Sequence, residues 1–328
     1  MNTLHVNVSL ARYSDWAFTS AVVALVVALL LLAVELAYAG GRRVDRRERV
    51  AAGSVGADSA VPGIVDALPV RPIDERTGRA GLAVVYLGIG LLLACVVLRG
   101  LATLRPPWGN MYEFINLTCL CGLLAGAVML RRPQHRPLWV FLLVPILILL
   151  TVSGRWLYTN AAPVMPALQS YWLPIHVSVV SLGSGVFMVA GIASVLFLLR
   201  TSRFGDPESP GAEGTLARVV QRFPDAQTLD RIAYRTTIFA FPVFGFGVIF
   251  GAIWAEEAWG RYWGWDPKET VSFVAWVVYA AYLHARSTAG WRDRKAAWIN
   301  VVGFVAMVFN LFFVNLVTVG LHSYAGVG

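Results

Sequence analysis

Eight apolar runs near the length that crosses a bilayer, about 20 residues, recur along the chain. They cover residues 16–39, 81–98, 112–130, 137–155, 174–199, 236–254, 270–286 and 297–319. The polar segments between them alternate in character. Residues 41–80, 131–136, 200–235 and 286–295 hold 21 of the 27 basic residues. The pattern predicts an all-α polytopic membrane protein of about eight transmembrane helices, one integral membrane domain over residues 1–328. The first run is too long for the apolar core of a signal peptide, and no cleavage-like site follows it. Arg42, Arg43, Arg46, Arg47 and Arg49 follow instead. Basic loops stay on the cytoplasmic side. This places both termini outside the cytoplasm and the active face extracytoplasmic, in the plasma membrane of the cell.

Breakers set the segments between runs. Residues 41–80 contain Pro62, Pro69 and Pro72, which interrupt any helix, and read as a cytoplasmic linker. Residues 200–235 read as a cytoplasmic loop. Arg105 to Glu113 form an external turn, and Pro163, Pro166, Tyr171 and Trp172 mark another. Pro174 suits the first turn of a helix, where its missing N–H costs nothing. Gly245, Gly247 and Gly251 permit close helix contact in the sixth run. Glu35 lies near the inner boundary, where a long side chain snorkels to water.

Composition supports the membrane reading. The chain is 57% hydrophobic and 14% charged, against roughly 25% charged in soluble domains. The net charge of +8 is accounted for by the inner loops, so no nucleic-acid partner is expected. Cys95, Cys119 and Cys121 all lie in apolar runs with no C-x-x-C spacing. That excludes a thioredoxin-like site and a covalent heme attachment site.

The chemistry concentrates in residues 254–270, a tryptophan-rich segment on the outer face. It contains Trp254, Trp259, Trp263 and Trp265 among six acidic or basic residues. Indoles favour the membrane–water boundary, so the cluster suits either an aromatic belt or a platform for a flat ligand. His176 and His322 each fall at the outer end of an apolar run, on the same face. His284 lies near the inner end of the seventh run; an ionisable group at membrane depth is a functional candidate. His5 and His135 sit in polar segments and carry no assigned role. Asp266 and Glu269 are placed to cap a helix starting near Pro267.

The stretch Trp259-Gly260-x-x-Trp263-x-Trp265-Asp266-Pro267-Lys268-Glu269 resembles the WWD signature of heme-handling membrane proteins. With Tyr279-x-x-Tyr282-Leu283-His284 and Gly320-Leu321-His322-Ser323-Tyr324, it is similar to the CcsA/ResC family of cytochrome c biogenesis, the system II type. The resemblance is strong from about Trp172 onward. It also extends to Asn110-Met111-Tyr112-Glu113, to which no role is transferred. Val271 departs from the tryptophan often found there.

The resemblance implies a heme-handling subunit of a cytochrome c synthase (heme lyase) complex. Such a subunit moves heme b, as substrate in transit, to the outer face for thioether attachment to Cys-x-x-Cys-His of apocytochrome c. It implies His176 and His322 as axial ligands of an external heme, with Trp259, Trp263, Trp265 and Asp266 around it. It implies His284 as ligand of an inner heme whose second histidine comes from a ResB-like membrane partner. A thiol-reducing protein completes the partners. Heme propionates need basic groups at the wet edge, and Arg155, Arg261 and Lys268 are the candidates. No catalytic acid is assigned. The competing readings are a heme exporter or chaperone without synthase activity, a non-catalytic assembly scaffold, and a small-molecule transporter with an aromatic gate.

Overall fold

The computed structural model describes residues 6–38, 73–164, 168–209, 214–314 and 320–322. Among these residues the fold is entirely helical. Eight long helices follow one another: α1 (Val8–Tyr38), α2 (Ile73–Thr103), α3 (Met111–Met129), α4 (Leu138–Trp156), α5 (Trp172–Arg200), α6 (Ala226–Trp259), α7 (Pro267–Ser287) and α8 (Arg294–Phe309). A π-helical turn, Asn310–Val314, extends α8. Seven of the eight are long and apolar enough to cross a membrane by length and composition. The exception, α7, has the length, about 31 Å at 1.5 Å per residue, but carries Lys268, Glu269, Ser272, His284 and Arg286.

The bounds refine the sequence reading. Residues 73–80, read with the linker, are the opening turns of α2; residues 41–72 lie outside the described residues, as do His5, Pro166, Ser323 and Tyr324. The 200–235 loop contains a short helix, Thr215–Val220, and the first turns of α6. At its other end α6 runs on to Trp259, so the tryptophan-rich segment begins inside a helix.

The most enclosed of the spans is α5. It packs against α3, α4, α6 and α8, while α1 and α2 pair with each other and α7 lies against α6 and α8. In a bilayer the apolar effect does not drive helices together, so close approach rests on small residues. A Cβ on Gly185 of α5 would lie 2.5 Å from the backbone nitrogen of Gly122 on α3. Between α1 and α2, Gly81 sits against Leu32 and Gly88 against Leu25 in the same way.

Ion pairs fasten both ends of the bundle. At the end bearing the basic loops, Glu35 of α1 pairs with Arg136 at 2.8 Å, so this carboxylate meets a protein cation rather than water alone. Asp230 of α6 pairs there with Arg286 of α7 at 2.9 Å. At the opposite end Glu113, 3% exposed, accepts Arg99 at 3.0 Å, Arg105 at 2.9 Å and the Gly109 amide at 2.8 Å. Both arginines also donate onward, Arg99 to the Thr159 carbonyl and Arg105 to that of Ala162. The Asn110-to-Glu113 stretch is therefore the N-cap and first turn of α3, locked to two loops at this end of the bundle.

Candidate functional site

The site grows from the end of α6. Gly247, Gly251 and Trp254 are spaced i, i+4 and i+7 and share one helical face. The missing side chain at Gly251 leaves room for the His176 imidazole of α5, whose Cε1 would be 2.6 Å from a Cβ there. The Gly247 carbonyl lies 2.8 Å from His176 Nδ1. A carbonyl only accepts, so Nδ1 carries the proton and Nε2 presents its lone pair. Trp254, 1% exposed, stacks on this imidazole with centroids 6.0 Å apart and planes at 11°.

The chain then turns sharply. Gly260 closes α6 in the left-handed region, at φ 69°, and its N–H donates to the Glu256 carbonyl. Asp266 begins α7 with a reciprocal capping box: its carboxylate accepts from the helix, and Glu269 accepts from the Asp266 amide at 3.1 Å. Glu269 also accepts the Gly264 amide at 2.8 Å. The expected capping role of both carboxylates is thus present. The turn requires Trp265 to adopt φ 57°, an uncommon conformation for a bulky residue.

Asp266 does more than cap. Its second oxygen accepts the Leu321 amide at 2.8 Å, and its first lies 2.9 Å from His322 Nδ1. One carboxylate therefore ties the C-terminal segment to the start of α7 and fixes the His322 tautomer, with the lone pair on Nε2. A carboxylate behind an imidazole is the usual outer support of a metal-binding histidine. Burial raises the Asp266 carboxyl, but hydrogen bonds from His322 and the Lys268 and Leu321 amides outweigh it and hold the pKa at about 2. Burial draws His322 below its ordinary value against the opposing pull of Asp266. At neutral pH the pair is a carboxylate and a neutral imidazole.

The His322 ring meets Trp254 at 5.9 Å and Trp259 at 5.0 Å. Trp254 thus touches both histidines. Both also line a cavity of about 340 Å³, within the size range of small-molecule sites. Its wall is mainly apolar and includes Phe114, Trp263 and Met307, with Lys268 and Glu269 among the charged groups. A smaller cavity of about 70 Å³ shares His176, His322 and Lys268.

The residues singled out from sequence divide as follows. His176 and His322 come together, Trp259 packs on His322, and Trp263 lines the large cavity. Trp265 is 67% exposed and meets Trp263 edge-on at 5.8 Å instead of lining the cavity. Arg155 is exposed at the end of α4. Arg261 lies over Trp259, 5.9 Å from its ring centroid, and 3.6 Å from Glu269. His284 is exposed near the other end of α7, about 27 Å along the helix from Asp266 at 1.5 Å per residue. It is no part of this cavity. His135 is buried, with Nδ1 3.3 Å from the Met129 carbonyl. Sequence reasoning named Trp254 in the cluster and Gly247 and Gly251 as contact glycines, but missed Phe114 and the seat that the other three form for His176. The seven-residue spacing from Gly247 to Trp254 was the available signal.

The family profile described as cytochrome C assembly protein matches residues 108–322, which include every group of this site. Among curated relatives, the cytochrome c biogenesis protein CcsA of Gloeobacter violaceus is 34% identical over 299 residues, covering 77% of this chain and 87% of that protein. CcsA of Guillardia theta is 35% identical, covering 74% and 86%. CcsA of Thermosynechococcus vestitus is 36% identical, covering 79% and 90%. Among solved structures, the cytochrome c heme lyase CcmF aligns with a TM-score of 0.61 at 18% identity, over 92% of this chain and 46% of that one. At that identity the likeness is one of fold.

Proposed function

Since the chain belongs to the CcsA family of cytochrome c biogenesis proteins, we propose that this multi-pass membrane protein presents heme for cytochrome c maturation at the cavity between His176 and His322. One observation carries the reading. Two imidazoles, 146 positions apart in sequence, border one apolar cavity and the same buried indole, and each has Nδ1 engaged by an acceptor. In this tautomer each imidazole carries its lone pair on Nε2, the donor that heme iron takes from histidine. Trp254, Trp259 and Trp263 supply apolar aromatic surface, and Asp266 orients His322.

The protein's part in the chemistry is orientation and exclusion of water. Heme supplies the vinyl groups. Each cysteine thiol of a reduced Cys-x-x-Cys-His segment adds across one vinyl, sulfur bonding to one carbon and hydrogen to the other, with no oxidant consumed. The incoming histidine replaces one of the two imidazoles. His284, exposed near the inner end of α7, is the inner heme ligand, its second histidine coming from a ResB-like membrane partner. Apocytochrome c and a thiol-reducing protein act on the extracytoplasmic side of the plasma membrane.

The test replaces each imidazole by a cavity. His176→Gly and His322→Gly should each give five-coordinate or absent heme in the purified complex, with added imidazole restoring the six-coordinate spectrum and part of the cytochrome c yield. An unchanged six-coordinate spectrum and full maturation in both variants would sink the assignment. Reconstitution with partner and apocytochrome separates a synthase from an exporter: only the synthase yields thioether-bound heme.

A further inference from the structure

Two axial imidazoles hold an iron but leave the ring free to turn about the axis through them. A tetrapyrrole with carboxylates on one edge needs a cation to fix that edge. We propose that Lys268 is the carboxylate-binding group of this cavity. The inference rests on the heme reading above and assigns one anionic edge of the ligand.

Three observations carry it. First, Lys268 lines both cavities alongside His176 and His322, and among the described residues no other lysine or arginine lines either. Second, its side chain is turned inward. Lys268 is the second residue of α7, at the outer end, where a long cationic chain ordinarily reaches for water. Its ammonium lies instead 5.0 Å from the Phe114 ring centroid, a cation–π seat on a residue that itself lines the large cavity. Third, the other basic side chains near the tryptophan segment are directed elsewhere: Arg261 lies on Trp259 and Glu269, and Arg155 is exposed on α4. A carboxylate entering this low-dielectric wall finds its charge-assisted partner in Lys268. With that edge held, the vinyl edge faces one way.

The experiment compares heme with heme dimethyl ester, in which both carboxylates are neutral, in wild-type protein and in Lys268→Met and Lys268→Arg. Full-length chain co-purified with its membrane partner is titrated optically with each ligand. The wild type should bind heme about tenfold more tightly than the ester, the scale of one charge-assisted hydrogen bond. Lys268→Met should bind the two equally, at the ester's affinity, and Lys268→Arg should restore the preference. All should keep the six-coordinate spectrum. A preference that survives in Lys268→Met places the carboxylate elsewhere, and no preference in the wild type removes a carboxylate site altogether. A wild type that takes neither ligand overturns the heme reading itself, which the histidine variants report independently.

Discussion

Asp266 shows how much one side chain carries here. It caps α7, holds the segment before His322, and sets that histidine's tautomer. Asp266→Asn keeps a good N-cap but has one oxygen where the carboxylate has two, so its NH2 must face either the Leu321 N–H or the His322 Nδ1–H. Loss of such outer support typically costs 10–100-fold in metal affinity. We expect a heme dissociation constant raised by about that factor, with helical content unchanged by circular dichroism. The pH dependence follows in sign. With the Asp266 pKa near 2, against an ordinary 3.9, its contribution to stability is complete above about pH 4 and is lost as pH falls towards 2. His322 lies below its ordinary value, so the unfolded chain takes up this proton first and stability declines as pH drops below about 6.5. The stability gap between wild type and Asp266→Asn should therefore close only in strong acid, as chemical unfolding across pH would reveal. Of these residues, His176 and His322 were legible in sequence because each ends an apolar run on one face. Trp254 was legible only as a member of the tryptophan cluster, since nothing in the spacing places its ring against both histidines. Trp265 was read as platform because it belongs to the motif, yet a backbone at φ 57° turns it outward, and periodicity carries no sign of φ.

At the scale of elements, the spacing of apolar runs located all eight helices, but their ends depended on caps. The end of α6 was set too early because apolar character fades after Trp254, whereas the backbone continues to Gly260, a left-handed cap. The start of α7 was legible because Asp-Pro-Lys-Glu is itself a capping signature. Helix contacts were legible only as a general allowance for small residues. The structure makes them specific, and two glycines test the difference. Gly90 of α2 has no heavy atom within 4 Å of a Cβ. Gly90→Ala should leave heme binding unchanged and raise stability by about 0.5–1 kcal/mol through helix propensity. Gly251→Ala puts a Cβ 2.6 Å from the His176 ring, so the ring must leave the Gly247 carbonyl. We expect Gly251→Ala to melt within a few degrees of wild type while its heme shows the five-coordinate spectrum of His176→Gly. A normal six-coordinate spectrum in Gly251→Ala would mean that His176 has another seat.

For the whole molecule, the decisive property is direction. Eight helices in sequence place the Asp266–His322 cavity at one end of the bundle and the Glu35–Arg136 and Asp230–Arg286 pairs at the other. The helix ends that flank the four segments holding 21 of the 27 basic residues lie at the second end. Basic loops resist translocation, so we expect that end to be cytoplasmic and the cavity to open outward. Alkaline phosphatase and green fluorescent protein fusions check this. Fusions at Arg47, Arg218 and Arg294 should fluoresce and lack phosphatase activity, and a fusion after Tyr324 should do the reverse. The same orientation puts His284 at the inner end, exposed on α7, where a partner's histidine can reach it. His284→Gly should then reduce the amount of heme recovered at the outer cavity several-fold while leaving its six-coordinate spectrum unchanged, because that spectrum belongs to His176 and His322. A fluorescent fusion after Tyr324 would invert the molecule. It would put the cavity on the cytoplasmic side, out of reach of an extracytoplasmic apocytochrome, and the basic segments outside. In that case the two histidines would still face one cavity, but as a site that receives heme rather than one that hands it on.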